Sequence, residues 1–237
     1  MKMIQKTGHG LLIWAIGLWC CTQSFAAVSD IGMVTRLDGK VTFWNDTDGQ
    51  ARQAAQNFMK VRSDDRFDLE AGAQLQLVFF ASGRKELWKG PSSLKMGGAG
   101  CVAMETGKTA LPPQVTIMPE TVSKEMQRIS PLIDPEKLHR SGSTTVRGKK
   151  SRSEGVTAKS ALLTDEERRL VEAARNTYKT LGQGFDSDDI TPELYLFSVL
   201  ADYDQSEEMD SLLKRMREKQ PGAPVIERLT TWLNSQR

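Results

Sequence analysis

The sequence predicts an α+β chain in two parts, an N-terminal all-β domain followed by a C-terminal array of α-helical hairpins. Polar and apolar residues alternate at 74–80 before the run becomes wholly apolar, which is the two-residue period of a strand. Beyond Thr164 the apolar residues recur at the three-to-four-residue spacing of amphipathic helices. A stretch at 130–160 that is rich in proline, serine, glycine and basic residues separates the two patterns and predicts a linker.

Residues 1–26 have the three-part pattern of a secretory signal peptide. Lysines precede an apolar run at 11–21, and Ser24 and Ala26 satisfy the small-residue requirement for cleavage before Ala27. The apolar run is shorter than the ~20 residues that a membrane-spanning helix needs. We therefore expect a periplasmic protein with no stable membrane span after cleavage, and a retained N-terminal anchor is the alternative.

Cleavage would change both the charge and the cysteine count. The full chain has 32 basic and 30 acidic side chains, and the leader carries two of the lysines, so 30 of each sign remain. A neutral chain has no general electrostatic attraction to nucleic acid. Two of the three cysteines also lie in the leader. Cys101 then cannot form an internal disulfide, and we expect it to be either a small buried side chain or an intermolecular link.

The β domain is predicted to span residues 31–118. Its strands are expected on either side of two turns, Asp38-Gly39 and Ser82-Gly83. The chain from 74 to 96 is expected to form one compact antiparallel unit, whose last strand, 92–96, lies at an edge. In the first strand, alternation predicts that Met33, Thr35 and Leu37 share a face. A further strand is expected at 101–104, and prolines confine the residues that follow to extended or turn structure.

A linker is predicted at 119–160, and it contains a short helix at 122–129. Within the linker, the segment 144–147 has the character of a strand that could return to the β domain. A tetratricopeptide-like helical region is predicted for 161–237.

Four helices are expected in this helical region. Thr164 and Glu167 have the spacing of a capping box, and the first helix should carry its apolar stripe on Leu170, Ala174, Tyr178 and Leu181. The second helix begins at Thr191-Pro192 and is apolar around so much of its circumference that neighbours should surround it. The segment 191–221 resembles one tetratricopeptide-like unit, whereas a solenoid needs about three.

We predict no catalytic, metal or cofactor site. The chain that remains after cleavage has one histidine, His139, and the sequence contains no Gly-x-Ser-x-Gly elbow. One histidine and one cysteine cannot build a zinc site of the usual ligand sets. Asp46 and Asp48 resemble the start of a calcium loop, but the twelfth position is Asn57 instead of a glutamate. A non-enzymatic protein without a cofactor is the resulting prediction.

One aromatic side chain and five basic ones are the candidate contacts with a partner: Trp88, Lys85, Lys89, Arg147, Lys149 and Lys150. An exposed tryptophan between two lysines would suit a binding surface, whereas core packing is the alternative for Trp88. The basic cluster in the linker could contact anionic lipid headgroups or cell-wall polymers. A solvated linker is the alternative for that cluster.

Several glycine turns and strands carry a family resemblance: Gly32-Met33-Val34, Asp38-Gly39-Lys40-Val41, Asp65-Arg66-Phe67, the run 72–77, Ser82-Gly83-Arg84 and the run 90–94. This pattern, which covers about a third of the chain, resembles a FecR-like domain, the extracytoplasmic β module named after the ferric-citrate regulator. The resemblance implies a non-catalytic module of envelope signalling or of cell-surface assembly. Because the chain lacks an anti-sigma segment and a spanning helix, we do not expect it to transmit a signal across the membrane alone.

Together these patterns predict a non-catalytic periplasmic module for protein interaction or envelope signalling. The β domain would bind an envelope component, and the helical region would bind a partner protein. The alternative is a module that binds cell-wall polysaccharide, with peptidoglycan as its ligand and with Trp88 and the basic linker as its contacts.

Overall fold

The computed structural model describes residues 30–45, 51–105, 110–133 and 163–237, and it has the predicted α+β architecture. Within these ranges the strands come first: β1 (Asp30–Asp38), β2 (Val41–Trp44), β3 (Gln53–Ala54), β4 (Lys60–Arg62), β5 (Arg66–Leu69), β6 (Gln74–Phe79), β7 (Arg84–Lys89), β8 (Ser92–Met96), β9 (Cys101–Ala103) and β10 (Gln114–Ile117). The helices follow: α1 (Glu120–Ile133), α2 (Asp165–Gly184), α3 (Thr191–Ala201), α4 (Ser206–Lys219) and α5 (Pro224–Ser235).

The strands form two five-stranded antiparallel sheets. Sheet A has the order β10-β7-β6-β1-β4, and sheet B has the order β3-β2-β5-β8-β9. The prediction of one unit over 74–96 is right for β6 and β7, which pair, and wrong for β8, which pairs with β5 and β9 inside sheet B. The chain changes sheet at Gly90, where a Cβ would lie 1.9 Å from the carbonyl oxygen of Glu70. Only glycine can follow this path without displacing backbone.

Sheet A has a hydrophobic core on each of its two faces. On β6, Leu75, Leu77 and Phe79 point into the core between the two sheets, whereas Val78 points into the core that contains the helices. Phe80, the next residue, also belongs to the helical core. Because successive side chains of a strand alternate between faces, one apolar run supplies both cores.

A β-bulge changes the face of the last residues of β1. The register with β6 shifts between Val34 and Arg36. Met33 packs in the helical core, but Leu37 packs against the core between the sheets. The prediction that Met33 and Leu37 share a face is therefore wrong, because the extra residue of a bulge reverses the alternation.

Three of the predicted helix features are confirmed and one needs correction. The capping box of Thr164 and Glu167 is formed at the start of α2, and Thr191 begins α3. In α3 every residue but two is buried, and the helix contacts α1, α2 and α4, as its apolar circumference predicts. On α2, however, Leu170 is 48% exposed. Val171 takes this buried position instead, whereas Ala174 and Leu181 are buried as predicted and Tyr178 is partly buried.

Helix α1 is longer than predicted and belongs to the helical core. It extends to Ile133 and has Pro131 in its last turn, although we expected linker from residue 130. Ile129 and Ile133 are buried in the helical core, and this packing keeps the final turn helical despite the amide that proline lacks. The remainder of the predicted linker, 134–160, lies outside the described residues.

Buried polar groups connect sheet A to the loop before α3. The carboxylate of Asp189 accepts hydrogen bonds from Lys85 Nζ at 2.9 Å, from Gln76 Nε2 at 3.0 Å and from the backbone amide of Thr191 at 2.8 Å. The Lys85 ammonium also lies 3.5 Å from the centroid of the Phe185 ring. The Asp189 side chain therefore caps the first turn of α3 and, at the same time, forms an ion pair with Lys85 of sheet A.

Candidate protein-interaction surface

Exposed apolar side chains are concentrated at one end of the two sheets. Among the described residues, five large hydrophobic side chains are exposed, and four of them lie on or beside β9 and β10: Val102, Leu111, Val115 and Ile117. The fifth, Leu170, stands alone on α2. β9 is the last strand of sheet B, and β10 is the last strand of sheet A. We call residues 97–104 and 110–119 the edge surface.

The buried carboxylate of Glu86 on β7 keeps the two parts of the edge surface together. It accepts hydrogen bonds from the Trp88 indole at 2.7 Å and from the backbone amide of Cys101 at 3.2 Å, and it also pairs with the Arg84 guanidinium. The Ser82 hydroxyl donates to the carbonyl of Ala99 at 3.1 Å. The chain leading into β9 therefore packs against β7, the strand that pairs with β10.

The edge surface carries no charged residue. Asp, Glu, Lys and Arg make up 26% of the chain, yet neither 97–104 nor 110–119 contains one. Exposed edge strands commonly carry charged side chains that prevent association. The two stretches of this surface lack that protection, and they offer no electrostatic attraction to anionic headgroups or polymers.

The outward backbone groups of β10 belong to two residues. The amide of Met118 donates to the carbonyl of Gly83 at 2.8 Å, continuing the ladder in which Ile117 lies opposite Arg84. In an antiparallel pair, inward and outward backbone groups alternate, so Val115 and Ile117 direct their amides and carbonyls away from β7. No strand among the described residues pairs with that side of β10.

The structure separates the residues that were predicted as partner contacts. Trp88 is 4% exposed and lies opposite Leu75 in the core between the sheets, so core packing, the alternative for this residue, is confirmed and Trp88 is not a surface contact. The cause is its position: Trp88 shares the inward face of β7 with Glu86. Lys85 is buried against Asp189, and only Lys89 of the three is exposed.

The other sequence-predicted positions lie outside the described residues. They are Arg147, Lys149, Lys150, His139, Asp46, Asp48 and the segment 144–147. In the part of the chain that the structure describes, no group of three or more histidine, cysteine, aspartate or glutamate side chains could hold a metal ion.

A groove of about 190 Å³ between α2 and α4 is a second surface. Leu196 and Leu212 are buried at its base, and its lining contains three cationic side chains, those of Arg175, Lys179 and Arg215, against one anionic residue. Arg215 donates to the Tyr178 hydroxyl at 3.0 Å, and this hydrogen bond raises the pKa of the guanidinium. Arg175 pairs with Glu208, the anionic residue of the lining, so the positive charges of Lys179 and Arg215 remain in excess around the apolar base.

Cys101 should react slowly with thiol reagents while the protein is folded. Its sulfur lies 3.6 Å from the sulfur of Met96, and burial, followed by the nearby Glu86 carboxylate, raises the pKa of the thiol. Because the thiolate is the reactive form, we expect alkylation by iodoacetamide at pH 8 to be about tenfold or more slower than for a free cysteine. The same protein in denaturant is the control and should react at the ordinary rate. Equal rates in both states would contradict the partial burial of this side chain and the raised pKa of its thiol.

The edge surface was not predicted from the sequence, although one signal for it is present there. The uncharged stretch 110–119 is visible in the sequence, but the prolines at both ends are compatible with either extended or turn structure. Only the pairing with β7 reveals a strand there.

No family model matches this chain, and neither the curated proteins nor the solved structures include a match to it. None of the helices in the described ranges is both long and apolar enough to cross a membrane.

Proposed function

We propose that this chain is a non-catalytic protein-interaction module of the bacterial envelope, exported to the periplasm and built on a FecR-like β domain. The observation that carries the proposal is the edge surface, where four exposed apolar side chains and an open strand edge coincide on two stretches that contain no charged residue. Contiguous exposed apolar surface on a soluble protein marks a site of interaction.

A polypeptide is the ligand that this surface suits best. Val115 and Ile117 are two residues apart, which is the spacing at which a strand presents backbone groups to one side. An added strand can therefore form hydrogen bonds with the outward amides and carbonyls of both residues. Their side chains also lie 42% and 66% exposed on one face, where an apolar residue of the added strand can cover them. Neither feature favours a carbohydrate or an anionic headgroup.

The helical region would provide a second contact. Because the groove between α2 and α4 has three cationic side chains and one anionic side chain, it suits an acidic segment of a partner protein. Binding there would agree with a module that joins two envelope components, one at the sheets and one at the helices.

The structure of the β domain does not favour the alternative of polysaccharide binding. That alternative depends on an exposed Trp88, and the indole is buried. A pelleting assay with isolated peptidoglycan tests it directly, and salt-sensitive pelleting would favour it over the protein-interaction proposal.

Site-specific photo-crosslinking in expressing cells tests the proposed function. A photoreactive amino acid at position 117 should give a discrete protein adduct, because Ile117 is exposed at the centre of the edge surface. The matched control is position 170, where Leu170 is similarly exposed but stands alone on α2. An adduct at 117 that is absent at 170 supports the proposal. Equal labelling at both positions, or none at 117, contradicts it.

A further inference from the structure

We propose that the edge surface binds the same surface of a second copy of this chain, with β10 paired antiparallel to β10. The two copies of sheet A, with five strands each, would then form one continuous ten-stranded sheet. This inference rests on the proposed function, because it names the polypeptide that occupies the edge.

The sequence around β10 is close to symmetric about Thr116. Val115 and Ile117, both β-branched, lie one residue to either side, and Pro113 and Pro119 lie three residues to either side. An antiparallel pair with Thr116 opposite Thr116 therefore places valine opposite isoleucine and proline opposite proline. Such a segment is complementary to itself, which is the requirement of a twofold interface.

The backbone favours the same register. Val115 and Ile117 carry the outward amides and carbonyls, so pairing about Thr116 sets Val115 of one copy opposite Ile117 of the other in two hydrogen-bonded pairs. The outward amides and carbonyls of Val115 and Ile117 in both copies are then hydrogen-bonded. The side chains of each pair lie on the same face, where β-branched neighbours pack well across strands.

The two prolines limit how far pairing can extend. Pro113 and Pro119 occupy the next outward positions of the edge, and neither has an amide to donate. Pairing therefore stops after the central residues in both directions. A bounded, self-complementary edge closes as a dimer and has no further positions from which a fibre could grow.

Charge does not oppose this association. The two uncharged stretches of the edge surface bring no like charges together, and the chain without its leader carries 30 basic and 30 acidic side chains. A highly charged surface would repel its own copy, whereas this surface does not.

Sedimentation velocity of the purified protein, with whatever N-terminal processing its cell applies, is the first test. We expect a concentration-dependent monomer–dimer equilibrium. Ile117→Lys should weaken the dimer by about tenfold or more, because two lysines enter the interface. Leu170→Lys introduces the same charge at an exposed apolar residue away from the edge and should leave the equilibrium unchanged. Both variants should keep the circular dichroism of the parent protein.

Cysteine crosslinking tests the register in a Cys101→Ser background. Thr116→Cys should form a disulfide-linked dimer, because residues opposite each other in a non-hydrogen-bonded pair have Cα atoms about 4.5 Å apart. Gln114→Cys is the control: in this register the two copies of residue 114 are offset by four residues, or about 13 Å, which exceeds the reach of a disulfide.

A monomer at all concentrations, or equal crosslinking of the two cysteine variants, would overturn the β10–β10 pairing. If the photoreactive residue at 117 then captured another protein, the proposed function would stand without this inference. If it labelled only residues 144–147 of its own chain, or nothing, both would fail.

Discussion

Replacing Asp189 with alanine is expected to lower the free energy of unfolding by about 3–5 kcal/mol, because the change leaves a buried ammonium without its counter-ion. Lys85 has a side chain only 8% exposed, and its Nζ pairs with the Asp189 carboxylate at 2.9 Å. The same change removes one of the two acceptors of the Gln76 side-chain amide, the other being the Thr35 hydroxyl, and the cap on the backbone amide of Thr191. Chemical denaturation followed by circular dichroism measures the loss.

The double variant Lys85→Met with Asp189→Leu is the control for this prediction. Replacing a buried ion pair with apolar residues of similar volume is often close to neutral, so the double variant should recover much of the loss. If Asp189→Ala alone unfolded within about 0.5 kcal/mol of the parent protein, the buried pair would contribute nothing to stability.

Phe197→Ala is expected to cost a comparable amount, about 3–5 kcal/mol. Phe197 has no exposed surface, and it lies at the centre of α3, the helix that contacts α1, α2 and α4. Its ring also meets the Trp232 indole edge to face, with centroids 5.9 Å apart. Alanine would leave a cavity among helices that cannot close around it without moving.

The measurement for Phe197→Ala is denaturation followed by both helical circular dichroism and tryptophan fluorescence. Leu170→Ala, on the exposed face of α2, is the matched truncation and should change stability by less than about 0.5 kcal/mol. Similar losses for the two variants would show that α3 is not the centre of the helical core.

The local elements could be predicted from the sequence because their signals are local. The strand at 92–96 has the predicted bounds, a strand follows the predicted Ser82-Gly83 turn, and the capping box of Thr164 marks the start of α2. What alternation cannot supply is the sheet to which a strand belongs. β7 and β8 are separated by two residues in sequence, yet they lie in different sheets, because pairing depends on partners that are distant along the chain.

The candidate surface was harder to predict for the same reason. Lys85 looked like a surface cation, but its partner Asp189 lies 104 residues away. The sequence left Trp88 open between core packing and exposure, because lysines lie on both sides of it, and only the pairing with Leu75 shows which face of β7 is inward. The symmetry around Thr116 is visible in the sequence. It suggests pairing between two copies only once the structure shows that Val115 and Ile117 direct their backbone groups outward.

Because sheet A is packed on both faces, neither half of the chain is an independent building block. A fragment that ended before Thr164 would leave Met33, Val78 and Phe80 facing water instead of the helices. Such a fragment should aggregate through this exposed apolar face, so its behaviour would not represent that of the β domain in the whole chain. A chimaera that replaces the helical half must therefore supply other apolar residues to cover the face of sheet A that packs on the helices. The same constraint makes β6, whose alternate residues serve different cores, the stretch least free to change.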